Sequence, residues 1–226
     1  MRSMYTIPEL LIDESIKNML DWLYNHVRPE MPKTGMQPVR MSALIDALIS
    51  EIGETGTMDV TVSQVAKRAG MSSALAHHYF GSKNNMFNAA MRHIMSLFGQ
   101  EIRQNLAGKT DPFERLEALI RTCFSDMNMR PETVGAWLNF YVFAQKSDEV
   151  GRLLSIYHQR LRSNLLHELR QIAPKEAPAL AEGIAAMIDG AYIRWSMRHR
   201  SEPTRRPEDV TLDCLNMVLD RYRRRH

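Results

Sequence analysis

Apolar residues recur three and four positions apart along almost the whole chain, and this spacing is the feature that most restricts its fold. Runs in which apolar and polar residues alternate, the pattern of half-buried strands, are missing. Prolines and glycines fall mostly between the periodic segments, where they punctuate the chain. The pattern therefore predicts an all-α fold.

The breaks in this pattern separate a series of predicted helices. Their approximate ranges are 7–27, 38–54, 62–69, 73–79, 83–106, 112–127, 131–146, 148–172, 177–200 and 207–224.

Length and composition fit a globular protein that is kept in a reducing compartment. The chain has 226 residues, of which 44% are hydrophobic and 24% charged. No apolar run approaches the roughly 18 residues that a membrane helix needs, and no secretory signal is recognisable at the start. Cys123 and Cys214 are too few for a disulfide framework. We therefore expect a cytoplasmic protein with no membrane partner.

One segment, from Thr61 to Lys83, has the organisation of a helix-turn-helix. Its sequence is TVSQVAKRAGMSSALAHHYFGSK, and its two short predicted helices meet at Gly70. In such a unit the first helix braces the second, which presents its N-terminal and outward side chains to the major groove of DNA. The expected shared core consists of Val62, Val65, Met71, Leu75 or Ala76, and Phe80.

This segment resembles the DNA-binding motif of the TetR family of bacterial transcriptional repressors. The matching residues are Thr61, Ala69-Gly70, Ser72, Tyr79-Phe80 and Ser82-Lys83. The resemblance implies a dimeric repressor that binds a palindromic operator in double-stranded DNA. Departures from the family pattern stand at Ala74, often glycine, at His77, often aromatic, and at Asn85, often acidic. The first two lie on the predicted recognition helix and could alter operator contacts.

Charge does not identify this segment as a DNA-binding unit. The whole chain carries a net charge of +3. Residues 31–86 hold five basic and four acidic side chains, which leaves a net charge of +1. The case for DNA binding therefore depends on how individual residues are arranged.

Position on the recognition helix divides the expected DNA contacts into two groups. Ser73, Ala74 and His78 are candidates for contacts within the groove, whereas His77, Tyr79 and Lys83 are better placed for phosphates. The capping residues Thr61, Gln64 and Ser72 complete the predicted DNA-binding set, because amides at helix starts bind phosphate. Alternatively, Tyr79 belongs partly to the core, and the adjacent histidines are ordinary surface residues.

Further stretches resemble one branch of this family, the choline-sensing BetI-type repressors of glycine-betaine synthesis. They are MPKTGMQPVR at 31–40, GTMDVTVSQVAKRAG at 56–70, HYF at 78–80, AWLNF at 136–140 and AAMIDGAYIR at 185–194. The similarity runs from about Met31 to the C-terminus. Residues 1–30 have no counterpart, so we interpret them as an N-terminal extension that is either an added helix or the product of an upstream start codon.

Aromatic residues in these stretches suggest where a quaternary ammonium effector binds. Aromatic faces attract such cations, which cannot donate an N–H bond, and an aspartate adds an opposite charge. The predicted ligand-binding residues are Trp137, Phe140, Tyr141, Asp189, Tyr192 and Trp195. The competing interpretation is that the aromatic side chains fill a core and that Asp189 braces two helices.

The resemblance also implies two domains and a homodimer. Residues 31–86 form the predicted DNA-binding domain, and residues 87–226 form a larger helical domain for ligand binding and dimerisation. The last two helices carry small residues and a leucine stripe suited to a four-helix interface. These are Ala181, Gly183, Ala185, Ala186, Gly190, Leu212, Leu215, Val218 and Leu219.

The sequence also bears on two other classes of function. An enzyme is disfavoured because no metalloprotease, nucleophile-elbow or phosphate-loop motif occurs, and His158 and His167 stand alone in the sequence. We therefore expect no catalytic residues, no metal and no cofactor. A regulator of efflux or lipid metabolism with an apolar or other cationic effector would share the same DNA-binding half and remains the alternative.

Overall fold

The computed structural model describes residues 36–57, 59–198 and 205–223, and within these ranges the chain is all-α, as predicted, with no strand. The predicted helix at 7–27 and the extension 1–30 lie outside the described residues. The helices are α1 (Gln37–Thr55), α2 (Val62–Arg68), α3 (Ser73–Phe80), α4 (Lys83–Leu106), α5 (Pro112–Cys123), α6 (Pro131–Ala144), α7 (Asp148–Ile172), α8 (Ala177–Met197) and α9 (Pro207–Arg223).

Most helix ends agree with the predicted ranges to within a residue or two, but α5 is shorter than predicted. It ends at Cys123 rather than near residue 127. The Asn128 carboxamide donates hydrogen bonds to the Thr122 carbonyl at 2.8 Å and to the Ser125 hydroxyl at 3.0 Å. In a continued helix, backbone amides would bond the carbonyl groups. Here the Asn128 side chain bonds the Thr122 carbonyl instead, and this holds the chain in a turn.

The buried side chains form two clusters, and α4 and α7 run through both. The first cluster contains Leu48 from α1, Met86 from α4 and Trp137 from α6. The second contains residues of α5 and α8, such as Leu116 and Ile184. Because α4 contributes Met86 to one cluster and Ile102 to the other, it connects the helix-turn-helix to the far part of the chain.

The boundary predicted after residue 86 falls near the start of α4. Met86 and Phe87 are both buried in the same cluster as Leu48 and Phe80, so the core continues across this position. Residues from Arg40 onward group into one compact unit. The division into functional domains at 31–86 and 87–226 stays a prediction.

No helix among the described residues is both long and apolar enough to cross a membrane.

The leucine stripe predicted for the dimer interface is placed inside the chain instead. Leu212, Leu215 and Leu219 of α9 are buried, as is Ala181 of α8. These side chains pack in the second cluster, where α9 contacts α5 and α8. Any second copy would therefore meet other residues of these two helices, among them the exposed Gly183 and Val218.

Candidate functional site

The two short helices are capped as the sequence predicts. The Thr61 amide donates to Gln64 Oε1 at 2.7 Å, and the Gln64 amide donates to Thr61 Oγ1 at 3.2 Å, which completes a capping box at the start of α2. Ser72 Oγ accepts from the Leu75 amide at 3.3 Å and so begins α3. Gly70 connects the helices with a φ of 66°, a conformation that favours glycine.

The shared core of this unit fixes which face of α3 points outward. Val62, Val65, Ala76 and Phe80 are buried, and Ala76 rather than Leu75 is the fully enclosed one of that pair. The outward face of α3 is lined by side chains that the structure leaves exposed, namely Ser73, Ala74, His77 and His78. The helix therefore presents the predicted groove-contacting residues to solvent.

Tyr79 and Lys83 occupy the two edges of this outward face. The Tyr79 ring is half-buried against the first cluster, and its centroid lies 5.9 Å from that of His78, so it is partly a core residue. Lys83 begins α4 and forms an exposed ion pair of 3.5 Å with Asp59. An exposed pair is weak because water screens it, so the lysine is free to exchange Asp59 for a phosphate.

A cavity opens between the helices in the other half of the molecule. The space between its lining atoms, including its open mouth, measures about 370 Å³. Five helices and the turn after α5 supply the lining, which consists of Phe98, Cys123, Asn128, Trp137, Tyr141, Tyr157, Ile188, Asp189 and Tyr192. Most of this wall is apolar, and Asp189 is the single carboxylate in it, a composition typical of small-molecule sites.

Two tyrosines hold the Asp189 carboxylate in place. The Tyr157 hydroxyl donates to Asp189 Oδ1 at 3.2 Å, and the Tyr141 hydroxyl donates to the same oxygen at 3.4 Å. On the other side, His158 Nε2 lies 3.6 Å from Asp189 Oδ2. The carboxylate thus has partners from α6 and α7, although it belongs to α8.

Burial governs the ionisation of these groups. The pKa of Asp189 is raised by loss of solvent, which outweighs the opposing effects of His158 and the two tyrosine hydroxyls. Burial also raises the pKa values of Tyr141 and Tyr157, and the charge on Asp189 raises them further. Both phenols therefore stay protonated and donate to the carboxylate, while an ionised Asp189 would be stabilised by a cation in the cavity.

The aromatic rings form a cluster beside this carboxylate. The ring centroids of Trp137 and Tyr157 are 4.6 Å apart, and those of Trp137 and Tyr141 are 6.1 Å apart. Tyr192 closes another side, with its hydroxyl donating to the Asn128 carbonyl at 3.0 Å. Aromatic faces beside a carboxylate favour a cation that carries no hydrogen-bond donors on its charged atom.

Two family models match this chain. One describes bacterial regulatory proteins of the tetR family and matches residues 44–90, and the other describes the C-terminal domain of BetI-type transcriptional repressors and matches residues 112–220. The HTH-type transcriptional regulator BetI of Rhizobium meliloti (strain 1021) is 51% identical over 190 residues, covering 84% of this chain and 94% of that relative. The chain belongs to the TetR family.

Solved structures of bacterial regulators show the same fold. A transcriptional regulator from Saccharomonospora viridis, solved in complex with choline, aligns with a TM-score of 0.71 at 20% identity and covers 81% of this chain and 97% of its own. The fatty acid degradation regulator FadR of Bacillus halodurans aligns with a TM-score of 0.67 at 20% identity and covers 83% and 97%. At this identity the likeness establishes the fold alone.

Membership of the TetR family makes this chain a transcriptional regulator rather than an enzyme, with DNA and a small-molecule effector as its partners. The TetR model covers the helix-turn-helix and the start of α4. The BetI-type model covers every lining residue of the cavity except Phe98. The helix-turn-helix and the cavity are therefore matched by two different family models.

The structure brings together only some of the predicted ligand residues. Trp137, Tyr141, Asp189 and Tyr192 line the cavity. Phe140 does not, because it faces a second, apolar cavity that also contains the buried Asn88. Trp195 does not line the cavity either, and the Arg198 guanidinium covers its ring at 3.2 Å from the centroid.

Sequence reasoning missed several residues that line the cavity, above all Tyr157, and it missed His158, which contacts Asp189 from beside the cavity. Each of the two precedes Asp189 by more than thirty residues in the chain. The sequence shows only that a tyrosine and a histidine are adjacent on a helix of ordinary periodicity. That pattern does not indicate that both residues contact Asp189. Among the described residues, no cluster of His, Cys, Asp or Glu is arranged to hold a metal ion.

Proposed function

We propose that this TetR-family protein represses genes of choline-to-glycine-betaine synthesis by binding a palindromic operator as a homodimer, and that choline releases it. The observation that carries the proposal is the cavity in which Trp137, Tyr141 and Tyr157 surround the Asp189 carboxylate. The 51% identity to a BetI regulator supports the choice of choline and its pathway.

The chemistry of the cavity suits a quaternary ammonium ion better than a primary amine. Each aromatic face contributes about 0.5–2 kcal/mol to binding of a cation, depending on how fully it is desolvated. Asp189 Oδ1 already accepts from Tyr141 and Tyr157, and His158 Nε2 lies 3.6 Å from Oδ2, so the carboxylate offers charge rather than a free hydrogen-bonding site. A methylated ammonium is complementary to this cavity, because it carries a charge and apolar surface but no hydrogen-bond donors.

The exposed face of α3 supports the proposed DNA contacts. Ser73, Ala74 and His78 stand near its N-terminal and outward side, and Lys83 follows at the next helix start. Side chains of this kind enter the major groove, while the lysine and the capped helix starts meet phosphates. Ala74 would place a methyl group at the base edges, which suits contact with thymine.

Unpartnered apolar side chains support a homodimer through α8 and α9. Met197 and Met217 are each 70% exposed, and Val210 and Val218 are also exposed on these helices. Gly183 and Ala186 leave the α8 surface flat enough for a close approach. A symmetric dimer would cover this surface and hold two recognition helices at one turn of DNA, about 34 Å.

Calorimetry of the full chain with choline, betaine aldehyde, glycine betaine and the uncharged carbon analogue 3,3-dimethylbutan-1-ol tests the proposal. We expect choline to bind at least tenfold more tightly than the carbon analogue, which corresponds to about 1.4 kcal/mol. Equal affinity for the two would contradict a cation site and favour the apolar-effector alternative. A long-chain acyl thioester that binds more tightly than choline would do the same.

A further inference from the structure

His158 closes the solvent side of the Asp189 carboxylate. Its Nε2 lies 3.6 Å from Asp189 Oδ2, the oxygen that neither tyrosine hydroxyl reaches. The imidazole stacks on the Tyr141 ring, with the ring centroids 6.4 Å apart. Its centroid lies 5.4 Å from that of the Tyr157 ring. These contacts place the histidine against the rings that form the cavity, while nearly half of its side chain stays open to solvent.

The groups that face this pair come from several helices. Asp189 of α8 is the charged partner, and the protonated phenols of Tyr141 on α6 and Tyr157 on α7 complete its surroundings. Cys123 of α5 is buried nearby, and its pKa is raised by burial, so it stays an uncharged thiol. Within the described part of the chain, His158 is therefore the one positive charge, when protonated, that acts on the ionisation of Asp189.

We propose that the His158 proton and a cationic effector compete for the charge on Asp189. This inference depends on the proposed function, because it concerns the same cavity. A protonated His158 neutralises the carboxylate from outside, so an arriving quaternary ammonium finds less opposite charge. A neutral His158 leaves the full charge to the ligand.

The sign of the effect follows from linkage. The effector-bound protein holds fewer protons than the free protein, so effector affinity rises with pH across the range of about 5 to 8 in which histidines titrate. Where binding of one effector releases one full proton, the affinity for the effector should change by up to about tenfold per pH unit. The regulator would then release its operator more readily in response to choline at pH 8 than at pH 6.

Titration of Asp189 itself would also weaken a cation at low pH, so the experiment must separate the two sources. His158→Gln keeps a polar side chain at the position but carries no titrating charge. If His158 is responsible, this variant loses the pH dependence and keeps tight binding at pH 6. If Asp189 is responsible, the variant keeps the dependence.

The test is calorimetry of choline with the full chain at pH 6, 7 and 8, in two buffers of different ionisation enthalpy, for the wild type, His158→Gln and His167→Gln. His167 is an exposed histidine of the same helix and provides the control. We expect proton release and rising affinity in the wild type and in His167→Gln, and neither in His158→Gln. An unchanged pH profile in His158→Gln would overturn the inference while leaving the proposed function standing.

Absence of choline binding at every pH would overturn the proposed function instead. The charge coupling between His158 and Asp189 is then decided without ligand, by following the Asp189 carboxyl carbon in NMR spectra during a pH titration of the wild type and of His158→Gln. We expect the titration midpoint of Asp189 to rise when the imidazole is removed, because His158 lowers the pKa of this carboxyl group. An identical midpoint in both proteins would overturn the competition.

Discussion

Gly53 of α1 and Gly135 of α6 lie against each other with no room for a side chain. A Cβ at Gly53 would stand 2.4 Å from the Glu132 Cα, and one at Gly135 would stand 3.3 Å from the Gly53 Cα. The helix α1 braces the helix-turn-helix, and α6 carries Trp137 and Tyr141 into the cavity. This contact therefore links the helix that braces the helix-turn-helix directly to the helix that lines the cavity.

This contact predicts that Gly53→Ala forces α1 and α6 apart. The obstructing atom at 2.4 Å is backbone, which cannot rotate away, so overpacking should lower the free energy of unfolding by about 1–3 kcal/mol. Thermal denaturation measures the loss. Gly99→Ala is the control, because its Cβ would meet only the flexible Arg103 side chain, at 3.6 Å, and alanine favours a helix. Equal stability of Gly53→Ala and Gly99→Ala would contradict the tight contact.

The proposed roles of Lys83 and His78 predict different effects on DNA binding. Lys83→Ala should weaken binding to all sequences alike and reduce the salt slope by about one unit, because a phosphate contact carries no sequence information. His78→Ala should change which operator variants are bound. Fluorescence anisotropy with DNA selected from a random library measures both, with Lys109→Ala, in the loop before α5, as the control. Relaxed specificity in Lys83→Ala at an unchanged salt slope would reverse the assignment.

The aromatic wall predicts a graded response to the size of the face that meets the cation. Trp137→Phe keeps an aromatic face but a weaker one, so choline affinity should fall by about three- to tenfold while operator affinity is preserved. Trp195→Phe is the matched control, because Arg198 covers that ring outside the cavity. If calorimetry showed the larger loss for Trp195→Phe, the cation would bind elsewhere.

The exposed face of α8 and α9 predicts that one charge can prevent dimerisation. Met217→Glu places a carboxylate where Met217 is 70% exposed on α9, and a charge buried unpaired in an interface opposes association. Light scattering should then show a monomer, and operator affinity should fall because half-sites are no longer held together. Val142→Glu changes an exposed residue of α6 and should stay dimeric. A wild-type monomer at micromolar concentration would refute the dimer outright.

The sequence predicted the fold and the recognition helix well, because both depend on local signals. Capping residues such as Thr61 and Ser72 act within three positions of their partners, so one sequence reveals them. The cavity depends on contacts between distant helices, which periodicity does not specify. Tyr192 and Trp195 share a helix face by spacing, but Trp195 lies one turn beyond, where Arg198 covers it. Tyr157 meets Asp189 only because α7 and α8 pack together.

We propose that a cation in the cavity weakens DNA binding at a distance. The structure offers α4 as one connection, since it begins at Lys83 and contributes Phe98 to the cavity wall. A ligand shifts the equilibrium between two conformations only by its differential affinity for them, and the coupling is reciprocal. Choline must therefore reduce operator affinity by the same factor as operator reduces choline affinity.

The most direct test is fluorescence anisotropy of selected operator DNA with the wild-type protein, in the presence of saturating choline or saturating 3,3-dimethylbutan-1-ol. We predict that choline lowers operator affinity at least tenfold, a coupling of about 1.4 kcal/mol, and that the uncharged analogue leaves operator affinity nearly unchanged. Release of the operator by both compounds to the same extent, or by neither, would contradict it.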